Sequence, residues 1–278
     1  MNSLRTYPEG VTCWVDLESG DVQAAAAFYG QLFGWTLSEV TPSGYQVAQF
    51  NGKDAAGIGA QLSADESEPR SPAWNTYIAV SDLDRAASRV QAAGGRVTQP
   101  ASDPGHGART ASCVDSGGVP FRLWQATGRP GAQAVNTPGG WNFSDLHVSD
   151  VAVSIAFYTS VFGWRFDELG FATMIRLPGY GDHLAATSDP DIHERQSGVS
   201  APPGFADAIG WLAPVGDGER PHWHVSFTVD DRDRIAAVTE RLGGTVMALT
   251  EGDWTRDALI RDPHGAVFTA SQFAPQST

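Results

Sequence analysis

The feature that most constrains this chain is that it repeats itself. Residues 14–35 carry Trp14-Val-Asp16-Leu, then Asp21-Val22, Phe28-Tyr29 and Phe33-Gly34-Trp35. Residues 143–164 carry Phe143-Ser-Asp145-Leu, then Asp150-Val151, Phe157-Tyr158 and Phe162-Gly163-Trp164, at a constant offset of 129 residues. A second pair of segments matches Trp74, Val80, Asp82, Asp84-Arg85 and Gly94-Gly95 to Trp223, Val229, Asp231, Asp233-Arg234 and Gly243-Gly244, at an offset of 149. Agreement at so many aromatic and glycine positions identifies a tandem duplication in which each half holds two copies of one module. A module this small cannot bury its apolar face alone, so the fold must pair modules with one another.

Each module reads the same way. An alternating stretch such as Asn75-Thr-Tyr-Ile-Ala-Val80 predicts a half-buried strand. A helix follows, with Ser81 and Ser149 expected as N-caps and acidic residues in the first turn. Its apolar residues recur at helical spacing, as in Ala25, Phe28 and Leu32, and the even modules stop at Gly94-Gly95 and Gly243-Gly244. Turn signals at Pro104-Gly105, Ser116-Gly117-Gly118, Pro178-Gly179 and 262–265 then separate short strands. The prediction is an α+β chain of four βαβββ modules in two tandem domains. The first domain is expected over 8–127 (modules 8–65 and 70–127) and the second over 138–274 (modules 138–190 and 219–274). About 20 extra residues in the second half are expected between its modules, within 178–221, as a connecting loop or as a lid over a binding site.

Composition excludes several classes of function. The net charge of −14 and the single lysine, Lys53, leave no basic surface, so neither nucleic acid nor an anionic membrane is an expected partner. No apolar run is long enough for a membrane span or a secretion signal. Cys13 and Cys113 fit no metal-ligand spacing and read as buried free thiols in a cytoplasmic protein. No phosphate-binding glycine loop, nucleophile elbow or paired-histidine helix motif is evident.

Phe28-Tyr29 followed by Phe33-Gly34-Trp35, Val229-Asp230-Asp231, and the Asp262-Pro263-His264-Gly265 turn resemble the hallmarks of the vicinal oxygen chelate superfamily, which includes glyoxalases, bleomycin-resistance proteins and extradiol dioxygenases. The resemblance covers about residues 10–273. It implies two glyoxalase-type domains, each with a cupped mixed sheet around a cavity. In the enzymes of that family it also implies a divalent cation, held by His or Gln in each module's first strand and by Glu in the last strand. The corresponding first-strand positions here hold Trp14, Asn75, Phe143 and His224. Arg122 and Thr269 stand at the last-strand positions. The first domain is therefore expected to carry no family-type metal.

Residues two apart on a strand share a face. Trp14, Asp16, Asn75, Tyr77 and Arg122 are candidate ligand-binding residues of the first domain. Phe143, Asp145, His147, His222, His224 and Ser226 are those of the second, with His183 joining them from another strand. This cluster could bind a metal, serve as acid and base, or be a set of hydrogen-bonded pocket histidines. Asp145 and His224 are the catalytic candidates. Asp16 and Asp145 occupy equivalent places and suit a general base or a hydrogen-bond donor, or else cap backbone nearby or pair with an arginine. Trp35, Trp164, Trp74 and Trp223 are read as core, Arg109 and Arg256 as rim ion pairs, and His106 and His264 as exposed turn residues. The acidic run Asp65–Glu68 reads as a solvated loop.

Aromatic surface with a few polar groups suits a small organic ligand. The first reading is a binding protein with a largely degenerate metal site and no cofactor, handling an aromatic or polyketide-like metabolite in secondary metabolism or resistance. The alternative is a lyase, isomerase or oxygenase acting through Asp145 and His224, with or without a divalent metal. An accessory-subunit role is the third. A monomer or homodimer is expected.

Overall fold

The computed structural model describes residues 4–61, 72–170, 172–197 and 201–275. In the first half the chain runs β1 (Thr12–Ser19), α1 (Val22–Phe33), β2 (Thr36–Leu37), β3 (Gln46–Phe50), β4 (Lys53–Ala60), β5 (Ala73–Ala79), α2 (Leu83–Ala92), β6 (Arg96–Ser102), β7 (Ala108–Val114) and β8 (Pro120–Ala126). The second half runs β9 (Trp141–Val148), α3 (Val151–Phe162), β10 (Arg165–Glu168), β11 (Thr173–Arg176), α4 (Tyr180–Thr187), α5 (Ile192–Ser197), β12 (Ala208–Pro214), β13 (His222–Thr228), α6 (Arg232–Arg241), β14 (Thr245–Glu251), β15 (Thr255–Arg261) and β16 (Val267–Phe273). The strands form two eight-stranded mixed sheets, ordered β2-β3-β4-β1-β5-β8-β7-β6 and β10-β11-β12-β9-β13-β16-β15-β14. In every module the last strand returns parallel to the first: β4 beside β1, β8 beside β5, β12 beside β9 and β16 beside β13. The four βαβββ modules read from the sequence are present.

The four main helices start at Asp21, Asp82, Asp150 and Asp231, each with extended backbone and a carboxylate oxygen that accepts the N–H three residues on. The caps expected at Ser81 and Ser149 therefore lie one residue early. The aspartate, not the serine, reaches the open N–H of the first turn, while the Ser81 hydroxyl donates to Glu9. Helices α1 and α3 end on Gly34 and Gly163, both left-handed at φ 74° and 75°, where an L side chain would be strained.

The extra length of the second half lies inside the third module, between β11 and β12, rather than between modules. The third module's last strand, Ala208–Pro214, thus falls beyond residue 190, where that module was expected to end. The insertion holds α4, α5 and a 3-10 turn over Phe205–Asp207. Its Tyr180, Leu184 and Ile192 are buried in the same hydrophobic core as Ile209, Leu212 and Trp223. That packing makes the segment an anchored part of the core instead of a loop or a lid. The acidic run Asp65–Glu68 lies outside the described residues.

Contacts gather the chain into two compact bodies that are not its two halves. One comprises the N-terminal residues to 14, then 76–131 and 144–223; the other comprises 15–75, 132–143 and 224 onward. In the second body the hydroxyl of Tyr29, on α1, donates to Asp262 Oδ2 at 3.0 Å and accepts from Trp74 Nε1 at 3.2 Å. Asp262 Oδ1 takes the backbone N–H groups of His264, Gly265 and Ala266. The Phe-Tyr hallmark of the first module is thus tied to the turn of the fourth. In the first body the same parts recur, with Trp223 Nε1 donating to Tyr158 OH at 3.3 Å. There Asp115 stands near Tyr158, but its Oδ2 has no partner in hydrogen-bond geometry. Trp35 Nε1 donates to Gly139 O and Trp164 Nε1 to Gly10 O, again one body each. All four tryptophans are buried, as the sequence reading placed them. Cys13 and Cys113 are free and buried, and burial pushes the Cys113 thiol up to about 12.

Candidate functional site

The residues singled out in the first half fall into two local groups. Trp14, at 0 % exposure, packs on Trp124 with ring centroids 5.5 Å apart. Tyr77 meets Trp124 edge-on at 5.4 Å, and His106 stacks on it at 5.2 Å with an interplanar angle of 11°. Arg122 Nη1 donates to Tyr77 OH at 2.8 Å and lies over that ring, while Arg129 lies over Trp14. Trp14, Tyr77 and Arg122 thus belong to one closed aromatic block braced by two guanidinium groups. His106, expected as an exposed turn residue, is 5 % exposed and is part of this block. A ring is drawn out of a glycine-rich turn when a large aromatic face lies open beneath it.

Asp16 and Asn75 make the other group. Asp16 is 2 % exposed; it accepts from Asn75 Nδ2 at 2.9 Å and from Tyr45 OH at 3.3 Å. Gly57 makes room for that tyrosine, since a Cβ there would come 1.8 Å from the Tyr45 hydroxyl oxygen. A buried carboxylate with these donors is the centre of a polar network, the arrangement such a group needs inside a protein.

In the second half, alternation along β9 leaves Phe143, Asp145 and His147 half-buried while Ser144, Leu146 and Val148 are fully covered. His147 Nδ1 lies 3.2 Å from Glu219 Oε1, and His222 Nδ1 lies 3.6 Å from the same oxygen. The two imidazole rings are 4.8 Å apart. Glu219 Oε2 accepts the Gly216 N–H at 2.7 Å, so the loop before β13 aims the other oxygen at the histidines. Burial, and then the neighbouring His222, hold the His147 imidazole below its ordinary value against the opposing pull of Glu219. Burial raises the Glu219 carboxyl, but the Gly216 N–H and the two imidazoles outweigh it and leave it below its usual range.

His224 and Ser226 lie further along β13, and both are nearly buried. His224 Nε2 is 2.8 Å from Thr269 Oγ1 on β16. His183 does not come from a strand, nor does it join the other histidines: it sits on α4, with Nε2 3.0 Å from Thr6 Oγ1. The helical insertion carries it to a different neighbour. Arg109 bonds Gln125 and Asp84, and Arg256 bonds Asp233 and Glu251, as rim ion pairs do. His264 is half-buried in its turn. Glu219 was missed in the sequence. Its signal is a Gly-Asp-Gly-Glu turn that places a carboxylate three residues before the histidine opening a strand.

The residues at the family's ligand positions do not fit a divalent cation. Trp14 offers no donor and is sealed against Trp124. Arg122 brings a positive charge to the last-strand position. Asn75 offers an amide oxygen, with its Nδ2 bonded to Asp16. In the second half only His224 has a suitable nitrogen, its Nε2 2.8 Å from Thr269 Oγ1, and Phe143 offers none. One imidazole and one amide among apolar, cationic and hydroxyl groups fall short of the three or four donors such ions take.

Comparison with known proteins agrees with this architecture. The model of the Glyoxalase/Bleomycin resistance protein/Dioxygenase superfamily matches residues 14–123 and 141–269. The chain is 34 % identical over 276 residues to the putative glyoxylase CFP32 of Mycobacterium tuberculosis, covering 97 % of each. It is 29 % identical over 280 residues to the anthracycline biosynthesis protein DnrV of Streptomyces peucetius, covering 96 % of this chain and 94 % of the relative. The fold matches that of the Mn(II)-bound glyoxalase from Novosphingobium aromaticivorans at a TM-score of 0.60 and 17 % identity, covering 95 % of this chain and 83 % of the other. It also matches 2,2',3-trihydroxybiphenyl 1,2-dioxygenase from Sphingomonas wittichii at a TM-score of 0.58 and 15 % identity, covering 95 % and 91 %. Among the described residues no helix is long and apolar enough to cross a membrane. With two eight-stranded mixed sheets built from βαβββ modules and a match spanning both halves, this chain belongs to the glyoxalase/bleomycin resistance protein/dioxygenase superfamily.

Proposed function

We propose that this protein binds an oxygen-bearing aromatic or polyketide-like small molecule through its second half, in secondary metabolism or in resistance by sequestration. The family's cation positions have been turned over to packing and hydrogen bonding. The observation that carries this reading is the replacement of donors at those positions, with Trp14 sealed in an aromatic block and Arg122 bound to Tyr77. The half-buried row Phe143, Asp145 and His147 supports it, because an aromatic face supplies contact area and a carboxylate and imidazole fix orientation. Relatives named as anthracycline biosynthesis proteins support the aromatic ligand class.

Calorimetric titration with a planar hydroxyanthraquinone tests it. Saturable binding is expected, weakened about tenfold by Phe143→Ala, the scale of one lost aromatic contact. Absence of binding by the folded wild-type chain, or binding indifferent to Phe143, Asp145 and His147 together, overturns it. The alternative, lyase, isomerase or oxygenase chemistry, rests on His224 as the one imidazole at a family ligand position. Turnover of an aromatic substrate lost in His224→Ala is the result that would favour it.

A further inference from the structure

We propose that His147, Glu219 and His222 form a divalent transition-metal site, displaced from the position the family uses. The proposal goes beyond ligand binding, because the cation would sit on this triad whether or not an organic molecule is bound. His147 lies four residues along β9 from Phe143, and His222 lies two residues before His224 on β13, so neither occupies a family ligand position. Glu219 belongs to the loop before β13, not to a last strand.

The donor atoms of the three residues all lie within 4.8 Å of one another. The Glu219 oxygen is 3.2 Å from one imidazole nitrogen and 3.6 Å from the other. Donors about 2.0–2.2 Å from a tetrahedral zinc are roughly 3.3 Å from each other, which the two distances to Glu219 already approach, while any wider pair has to close by side-chain rotation. The chemistry of the set is also right. Two imidazoles and one carboxylate make a three-donor site with open positions, suited to Zn(II), Fe(II), Co(II) or Mn(II).

The surroundings orient the carboxylate. The Gly216 N–H holds Glu219 Oε2 and leaves Oε1 facing the rings. The Arg220 carbonyl lies 3.0 Å from His222 Nδ1, so an ion on that ring takes Nε2 or displaces the carbonyl. His147 is anchored by β9, whose Ala213 neighbour on β12 is in register with it. The partial exposure of the three side chains, 24 %, 35 % and 35 %, gives an ion an entry path.

The test uses the full chain without an affinity tag, stripped with chelator and dialysed. Zn(II) is titrated by calorimetry, and Co(II) by its visible absorption. The expected result is one equivalent per chain. Affinity should fall about tenfold or more in His147→Ala and in Glu219→Gln, and should stay within about twofold of wild type in His224→Ala. Each variant is checked by circular dichroism in chelator, and His147→Gln, close in shape, replaces His147→Ala if that variant fails to fold. The proposal is overturned by absence of saturable uptake at neutral pH, by uptake that survives both triad substitutions, or by uptake abolished in His224→Ala.

Discussion

Replacing Tyr29 by phenylalanine removes one oxygen and leaves the ring in place, which makes it a sharp probe of how the modules are tied. The Tyr29 hydroxyl donates to Asp262 at 3.0 Å and accepts from Trp74 at 3.2 Å, all of it buried. Burial, and then the Asp262 charge, hold the phenol well above its ordinary value, so it remains a donor at any physiological pH. A hydrogen bond to a charged group contributes roughly 1.5–3 kcal/mol, and the Trp74 N–H loses its acceptor as well. Tyr29→Phe should therefore cost about 2–4 kcal/mol. The counterpart Tyr158→Phe should cost about 1–2 kcal/mol, because Asp115 Oδ2 lacks a well-formed hydrogen bond to lose. Urea unfolding followed by far-ultraviolet circular dichroism measures both, and adding Trp74→Phe to Tyr29→Phe should return part of the loss. A Tyr29→Phe penalty below about 0.5 kcal/mol, or a Tyr158→Phe penalty that exceeds it, would refute the assignment of the hallmark tyrosine as a clamp on the turn.

Other outcomes follow from the same geometry. Trp14→Ala should cost about 3–5 kcal/mol, since a fully buried indole leaves a cavity between Trp124 and Arg129; a loss under about 1 kcal/mol in a denaturation midpoint would mean that the ring lines open space. Gly57→Ala brings a methyl 1.8 Å from the Tyr45 hydroxyl and 2.3 Å from its ring, forcing Tyr45 off Asp16, so a lowered melting temperature is expected; equal melting of Gly57→Ala and wild type would contradict the packing. In an NMR titration the His147 imidazole should move further down in Glu219→Gln and up in His222→Gln, and the reverse order would refute the electrostatic account. Because the folded value lies below the unfolded one, near 6.5, the unfolded state takes the proton first. The stability linked to His147 is therefore complete above that pH and declines as pH falls through it towards the folded value.

The fold was legible because the repeat exposed it. Matching Phe28-Tyr29 to Phe157-Tyr158 and Trp74 to Trp223 marks four modules and their order, although the third runs on to β12. Local chemistry was harder to read. Ser81 and Ser149 look like caps, yet Asp82 and Asp150 sit at the dihedral angles that let a side chain reach the first turn. The insertion after β11 was given to a connection because its glycines and prolines mask two short helices and delay β12 to residue 208. Alternation correctly set Phe143, Asp145 and His147 on one face of β9. It could not find Glu219, which reaches His147 from a loop 72 residues away, nor could it bring His106 back onto Trp124. Side-chain partnerships across strands depend on register and loop path, and neither has a local period.

Anomalous diffraction from crystals grown with Mn(II) or Zn(II) tests the central claim most directly. A lack of anomalous signal is predicted within coordination distance of His224 and Thr269, and likewise beside Trp14 and Arg122. A well-occupied peak on His224 would contradict the replacement of the family's cation positions, whatever is found at His147.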